Sequence, residues 1–577
     1  MSLGYADRLK QRRNLGGQLG AQEYHQSFED IAVGVKSLAQ WVSNAERVFV
    51  FTGAGISTAC GIPDFRGPNG IWTLRKKKAP VPTDFTPFEF AKPSFTHMAI
   101  SALVASGKAP HVCSQNVDSL HLWSGVPRDR IAELHGNCFA ERCTSCKKEY
   151  ARDFQMETVN FKPSGRRCPA PGCGGPLVDN ILDWDTTLPE DELNESVRQA
   201  EGADVALVLG TSLQIQPANE LPTLTRDEGG KMVIVNLQKT PKDRRANLII
   251  RGRVDLVMAL LMQELRMQVP PYIRTESLVV RHSCSSSAGA SASGGGGGGS
   301  SGSAGRALTV VVGSRHGPGC PLPMVERLSL TLEAEAEGAA GGGSGEGGGG
   351  GGEGRVKEED EAGCSGGGGG GGAAWGPVSS GELAPAGGGG GGFSHTFAGV
   401  PGWVRRVRCT LQVRLVKWAD AERRDVRLQH SIDLGELGRG GAAAPPASAS
   451  GDQGGSGGDV KPLKDLPPAA DGSPSTAAAA GSSSGDGGVE VVVRHSFVSQ
   501  RLQYDAAEVV AAFRAAPPPV VMPEPPRKRA RKEGSPAAPT RVSARQSRNS
   551  QRAQYAEESA SSQDGGGSGS GEEEGGS

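Results

Sequence analysis

The sequence predicts an α/β domain built on a parallel sheet over residues 1–275, with a small cysteine-bearing insertion at 137–180 and a glycine-rich extension beyond. Three observations predict it. Four short apolar runs, RVFVFT (47–52), HVCSQ (111–115), DVALVLG (204–210) and KMVIVN (231–236), are separated by helical or loop segments, the pattern of strands covered on both faces. Five of the 11 cysteines crowd between Cys138 and Cys173. Of the 86 glycines, 64 lie beyond residue 275, so the second half of the chain is not densely packed throughout.

The formal charge of −1, from 62 basic and 63 acidic side chains, excludes a uniformly basic nucleic-acid coat and a wholly acidic solubilising tail. No apolar run approaches the roughly 18 residues that cross a bilayer, and the start, MSLGYADRLKQRRN, is charged where a secretory signal needs an apolar core. The expectation is a cytosolic or nuclear protein with no membrane partner. In a reducing compartment, clustered cysteines in odd number favour a metal over disulfides.

Ser27-Phe28-Glu29-Asp30 has the form of a capping box, and Ile31, Val35, Leu38 and Trp41 follow at helical spacing, so an amphipathic helix leads into the first strand. That strand, 47–52, breaks into Gly53-Ala54-Gly55. A strand ending in Gly-x-Gly suits the phosphates of a dinucleotide, since glycine lets the backbone approach and turn amides donate, but such turns occur widely. The acidic residue expected about 20 positions later to hold a ribose is missing, for that stretch reads Thr73-Leu74-Arg75-Lys76-Lys77. The continuation Cys60-Gly61-Ile62-Pro63-Asp64-Phe65-Arg66-Gly67 strengthens the case, because Arg66 can pair with a pyrophosphate. Asn236 directly follows an apolar run, where parallel sheets bind ligands, and can take the place of the absent acid.

Cys143-x-x-Cys146 is followed, after 21 residues, by Cys168-x4-Cys173. Two such turns can place four thiolates tetrahedrally around one Zn²⁺, and with all four positions filled the ion is structural. The alternative is four ordinary buried cysteines. Cys138 lies outside the pairs and reads as a small core residue.

Residues 276–305 read as a Gly/Ser linker. Oligoglycine at 294–299, 347–352, 366–372 and 387–392 points to disorder, because such tracts bury too little to offset chain entropy. Between them lie strict alternations: Val407, Cys409, Leu411, Val413 and Leu415; Val426, Leu428, His430, Ile432 and Leu434; Leu328, Leu330 and Leu332; Val489, Val491 and Val493. These predict half-buried strands, hence a small antiparallel β unit within 306–515 whose connections are the glycine tracts. The alternative is isolated β-prone pieces in a disordered extension. Residues 516–577 read as a basic tail. Within it, Pro525-Pro526-Arg527-Lys528-Arg529-Ala530-Arg531-Lys532 is an address for nuclear import or a contact for DNA phosphates, or else a solvated linker.

GAGIST at 53–58, GIPDFRGPNGIW at 61–72, SQNVDSLH at 114–121, LHGN at 134–137, the paired cysteines, LGTSLQIQPA at 209–218 and IVNLQKTPKD at 234–243 together resemble the sirtuin family, over about residues 1–275. ILDWDTTLP at 181–189 and MSLGYA at the start look most like the nuclear class IV sirtuins, including those of plants and algae. The resemblance implies a Rossmann-type domain binding NAD, a zinc-ribbon small domain and an acyl-lysine tunnel between them. It implies a nuclear NAD-dependent protein-lysine deacylase acting on histones or other nuclear proteins, with nicotinamide, free lysine and O-acyl-ADP-ribose as products. His135 would be the general base that deprotonates a ribose hydroxyl, with Gln115, Asn116 and Asp118 orienting the nicotinamide ribose and amide. Cofactor contacts would come from Gly53, Ala54, Gly55, Thr58, Asp64, Phe65, Arg66 and Trp72 on the pyrophosphate and nicotinamide side. Gly210, Thr211, Ser212, Asn236, Gln238 and Val254 would hold the adenosine half.

Imidazole, with an unperturbed pKa of about 6.5, suits a base working near neutrality. Without the motif, His135 would count as a hydrogen-bonded structural residue and Trp72 as a core aromatic. His97 is expected on a helix surface, His121 in packing, Asp183 and Asp185 as solvated loop charges, and Trp184 as a wall of the peptide cleft. The family pattern is broken at Ser119, where glycine is usual, and at Cys60, where serine or a similar small residue is usual. Residues 181–189 lack the Phe-Gly-Glu of many efficient deacetylases, which leaves longer acyl chains or chromatin-bound substrates open. Two rival functions are mono-ADP-ribosyl transfer to protein and a chromatin-binding scaffold, the latter disfavoured by the intact His135, Arg66 and Asn116.

Overall fold

The computed structural model describes residues 2–10, 12, 17–82, 84–286, 306–334, 379–382, 384–385, 392–400, 404, 406–434, 475–479 and 491–516. It comprises two compact units, one of residues 1–150, 156–269 and 505 onward, the other of residues 151–155 and 270–504.

The elements of the first half, in chain order, are α1 (Ser2–Arg8), α2 (Phe28–Asn44), β1 (Val48–Thr52), α3 (Ile71–Lys77), α4 (Phe95–Ala105), β2 (His111–Ser114), α5 (Leu120–Trp123), β3 (Ile131–Glu133), β4 (Gly136–Cys143), β5 (Glu149–Ala151), β6 (Pro163–Arg167), β7 (Pro176–Ile181), α6 (Glu190–Glu201), β8 (Val205–Leu209), α7 (Leu221–Asp227), β9 (Lys231–Val235), β10 (Leu248–Ile250) and α8 (Val254–Glu264). Ser27 caps α2, its hydroxyl accepting from the Asp30 amide at 3.1 Å, and the helix buries Ile31, Val35, Leu38, Ala39 and Val42. The sheet order is β10-β9-β8-β1-β2-β3 with parallel pairing at every step. Every residue of β1, β2 and β8 is buried, which is why those strands read as unbroken apolar runs. β3 and β10, three residues each, are too short to stand out by pattern. The strand order reverses between β1 and β8, the kind of switch point beside which parallel sheets bind ligands.

The insertion is a separate four-stranded sheet, β5-β4-β7-β6. β4 and β7 pair antiparallel from Gly136 opposite Ile181 to Cys143 opposite Leu177.

The second unit is all β: β11 (Tyr272–Ser286), β12 (Arg306–Ser314), β13 (Val325–Ala334), β14 (Ser379–Glu382), β15 (Ala384–Pro385), β16 (Phe393–Val400), β17 (Arg406–Leu415), β18 (Asp425–Asp433), β19 (Ser475–Ala479) and β20 (Val491–Leu502). They form two antiparallel sheets, β15-β16-β12-β11-β20-β19 and β14-β13-β17-β18. The alternating segments at 328–332, 407–415 and 426–432 lie in paired strands with the apolar positions buried, apart from half-buried Val426, as period-two patterning requires.

Three differences from the sequence-based boundaries stand out. Residues 276–286, assigned above to a linker, continue a strand that starts at Tyr272. Their serines masked an alternation in which Leu278, Val280 and His282 point inward. Residues 506–515 are not part of the β unit but a helix, α9 (Ala506–Ala515), grouped with the first unit. Its N-cap is Asp505, which accepts from the Ala507 amide at 2.6 Å. The third is His97, expected on a helix surface. It is fully buried and completes a capping box at the start of α4, accepting the Ser94 amide through Nδ1 at 3.2 Å. The oligoglycine tracts, Val489 and the basic run 525–532 lie outside the described residues. Among the described residues, no helix is long and apolar enough to cross a membrane.

Candidate active site

Glycine occupies three positions where the loops after β1 and β8 meet. A Cβ on Gly53 would stand 2.6 Å from the Thr211 Cβ, one on Gly55 would stand 2.7 Å from the Gly210 carbonyl oxygen, and one on Gly210, at φ +59°, would stand 2.6 Å from the Ile56 amide. The Gly55 amide donates to Gly210 O at 2.8 Å. These glycines therefore let one loop rest on the other, a packing requirement beside the phosphate approach expected of them.

A cleft of about 980 Å³ opens on this junction. Of the expected cofactor contacts, Gly53, Ala54, Gly55 and Thr58 line it from the β1 loop, and Asp64, Phe65 and Arg66 from the following turn. Gln115, Asn116 and His135 enter from the loops after β2 and β3; Gly210, Thr211, Ser212, Asn236, Gln238 and Val254 complete the other side. Trp72 does not reach the cleft. It is buried behind Phe65, the two rings stacked with centroids 5.5 Å apart. Asp118 lies instead on a smaller neighbouring cavity of about 60 Å³, which also touches Tyr5, Ser57, Ile62, Phe65, Asn116 and His135.

His135 stands where the two cavities meet. Its Nδ1 is 2.9 Å from the Gln115 carbonyl oxygen, which only a protonated Nδ1 can satisfy, so Nε2 is left as a bare acceptor. Burial pushes its pKa down to about 4; the Gln115 carbonyl opposes the shift and Arg66 adds to it. Asn116 uses its side-chain amide nitrogen on Gly53 O (3.2 Å) and Ser57 Oγ (3.3 Å), so its carbonyl oxygen is what it offers the site. Asp118 accepts from Ser57 Oγ at 2.6 Å and from the Leu120 amide at 3.0 Å, while burial raises its pKa. Gln115 donates to Thr211 Oγ1 at 2.9 Å, tying the β2 loop to the β8 loop. The Arg66 guanidinium is buried enough for its pKa to fall to about 10, with Asp64 beside it opposing the shift.

The four paired cysteines meet within 4.8 Å of one another. Cys143 and Cys173 Sγ are 3.6 Å apart, as are Cys146 and Cys168. Tetrahedral thiolates at about 2.3 Å from zinc sit roughly 3.8 Å apart, so this donor set fits a structural Zn²⁺ closely. The Cys146 amide donates to Cys143 Sγ at 3.4 Å, favouring the thiolate.

The Sir2 family description matches residues 53–90 and 83–217. The rice NAD-dependent protein deacetylase SRT1 is 50% identical over 276 residues, 48% of this chain and 57% of the rice protein. Its Arabidopsis thaliana counterpart is 48% identical over 276 residues, covering 48% of this chain and 58% of its own. The chain thus spans little more than half the length of these plant relatives. The Drosophila melanogaster NAD-dependent protein deacetylase Sirt6 is 43% identical over 279 residues, which are 47% of this chain and 87% of the fly protein. The chain belongs to the Sir2 family.

Several features of this sirtuin's site were not singled out from sequence. The N-terminal segment folds over it: Tyr5 is buried, its ring 6.3 Å from Phe65 and edge-on. The loop 181–189 is fastened to that segment, which overturns the expectation of a solvated charge for Asp183, while Asp185 stays exposed as expected. Asp183 is buried and accepts from the Lys10 amide at 3.1 Å, while Asp185 pairs with Arg12 and Lys10. Trp184 lies 5.9 Å from Trp72, and its Nε1 has no hydrogen-bond partner among the described residues. Ser119 sits at φ +64°, the left-handed region glycine favours, which accounts for the glycine usual at this position and not for the serine that replaces it. Buried Arg251 donates to the carbonyls of Asn236 (3.0 Å) and Gln238 (2.8 Å) and pairs with Asp243, shaping the loop beyond β9. Finally, Val509, Ala512 and Phe513 of α9 line the cleft beside Arg253 and Val254, and the Arg253 guanidinium lies 5.7 Å from the Phe513 ring. Nothing in the local sequence of α9 signals this, because a return over 235 residues is a tertiary fact.

Proposed function

We propose that this sirtuin is a NAD-dependent protein-lysine deacylase, and that its substrates are acylated lysines of histones or other nuclear proteins. The observation that carries the proposal is His135, a neutral imidazole whose Nε2 is free at the junction of a dinucleotide-sized cleft and a small neighbouring cavity. Bound in the cleft, NAD supplies an electrophilic ribose carbon that an acyl oxygen can attack. Arg66 and the β1 loop would face its phosphates, and Asn236 and Gln238 its adenosine half. Asn116 and Asp118 orient the ribose and amide at the small cavity, while Phe65 and Ile62 keep water from it. His135 would accept at Nε2 the proton of a ribose hydroxyl, with Gln115 O holding the resulting imidazolium through Nδ1–H. Nuclear placement and contact with chromatin or DNA phosphates rest on the run 525–532.

The test is an assay of NAD consumption on acylated nucleosomes with every product identified by mass. O-acyl-ADP-ribose with deacylated histone supports deacylation. ADP-ribose attached to protein, without deacylation, would replace it with mono-ADP-ribosyl transfer, and no consumption would leave a scaffold.

Two further outcomes are expected. Because the free-enzyme pKa of His135 lies near 4, kcat/KM should show no inflection at pH 6.5 and should keep its plateau to about pH 5. The linkage has the same sign: the folded form binds fewer protons than the unfolded between about 4 and 6.5, so this group's contribution to stability is lost as pH falls through that window. A pH profile of kcat/KM with a titration centred at 6.5 would contradict this. Ending the chain after Tyr504, or replacing Phe513 with alanine, should raise KM for NAD about fivefold, the equivalent of roughly 1 kcal/mol of lost contact, with kcat little changed. Unchanged KM in both variants would show that α9 contributes nothing to cofactor binding.

A further inference from the structure

The second unit holds a polar cluster that the deacylase reaction does not use. His282 on β11, His495 on β20, and the directly paired Cys409 (β17) and His430 (β18) converge in its interior. Cys409, His282 and His495 are fully buried and His430 is 9% exposed. The flanking inward positions are apolar: Val280 and Val493 in one sheet, Leu411 and Leu428 in the other. Period-two patterning asks for aliphatic residues at such sites, and each polar group placed there without a partner costs about 1–3 kcal/mol.

Hydrogen bonding alone accounts poorly for the arrangement. His430 Nε2 faces His282 Nε2 at 2.8 Å and His430 Nδ1 faces His495 Nε2 at 2.9 Å. His282 Nδ1 has no partner among the described residues, so no hydrogen bond there fixes which ring nitrogen carries the proton and Nε2 is open to act as a bare donor atom. No hydrogen bond reaches the Cys409 thiol among them either. Yet one donor atom from each of His282, Cys409 and His430 lies within 4.8 Å of the others.

We propose that these three side chains bind a thiophilic transition ion, Zn²⁺ or Cu⁺, distinct from the ribbon zinc. His282 and His430 coordinate through Nε2, and Cys409 coordinates as thiolate, releasing its proton to solvent as the metal–sulfur bond forms. His495 does not coordinate. It accepts from Nδ1–H of His430, fixing the tautomer and ring angle that present Nε2 to the ion. Nitrogens at about 2.0 Å from a tetrahedral ion sit roughly 3.3 Å apart, so metal entry asks the two rings to part by only about half an ångström. The ion bridges the two sheets at one point and gives this glycine-interrupted unit a cross-link that its long connections do not supply.

The test is metal content of the full-length chain, purified under a non-chelating reductant and equilibrated separately with Zn²⁺ and with Cu⁺. Two equivalents are expected for the unaltered chain, one for Cys409→Ser with His430→Phe, and one for Cys143→Ser with Cys146→Ser. The ion that fills the second equivalent identifies the metal. Should the β-unit variant fail to fold, X-ray absorption at the metal edge of the unaltered chain decides independently. Nitrogen at about 2.0 Å alongside sulfur at about 2.3 Å is expected. A single equivalent under both conditions, or sulfur neighbours alone, would overturn the proposal.

Discussion

Replacing His135 with alanine is expected to lower turnover by about 10² to 10⁴ while leaving NAD affinity within about twofold, the mark of a lost general base. The separation follows from where the ring stands. Most of the cleft wall belongs to the β1, β8 and β9 loops; the β1 and β8 loops rest on one another through Gly53, Gly55 and Gly210, and the Gln115 to Thr211 hydrogen bond ties the β2 loop to them. His135 touches that framework through one bond, to Gln115 O. Its loss costs about 1 kcal/mol of stability, so a small drop in melting temperature is expected alongside the large drop in rate. The conservative variant His135→Gln keeps a donor for Gln115 O without a usable base, so it should restore the melting temperature and not the rate. Steady-state kinetics with calorimetric NAD titration reads both. If alanine at 135 turns over like the parent, or if NAD no longer binds it, the imidazole is not acting as proposed.

How much of this could be read from the chain differs by element, and for physical reasons. β1, β2, β8 and β9 are buried on both faces, so their sequences carry the fact openly; the residues just past their ends fall on the cleft as a consequence of strand direction. The cysteine pairs were legible because metal geometry dictates their spacing. Burial set by distant partners was not. His97 and Asp183 look like surface residues in their own segments and are covered by elements far along the chain. Trp72 is adjacent to cleft residues in sequence, but α3 turns it inward behind Phe65. The strand 272–286 was hidden by its serines, and α9 by its short apolar face, of which only Val510 is buried. In each case the missing information was which other segment supplies the contact.

Stripping the ribbon zinc should have the largest effect on structure. Around the metal site the buried cluster is only Cys143, Cys168 and Leu177, with Tyr150, Ala170 and Cys173 packed against it, too small to hold the cysteine-bearing end of the insertion by burial alone. Metal binding of this kind contributes on the order of 10 kcal/mol, so removing it should unfold residues 140–178 outright. Chemistry should stop as well, because β4 begins at Gly136, immediately after His135. The Leu182 amide donates to His135 O at 3.1 Å, and Gly136 pairs with Ile181 at the end of β7. A Cβ at Gly136, φ +80°, would stand 2.1 Å from Asn180 O, so the backbone beside the base is held by close contact with the ribbon. Hydrogen exchange after chelation, or in Cys146→Ala, should show lost protection across 140–178 with β1 and β8 still protected, together with loss of deacylation and retained NAD binding. A metal-free chain that deacylates normally with its ribbon amides protected would mean that the cysteines hold the insertion together without the ion.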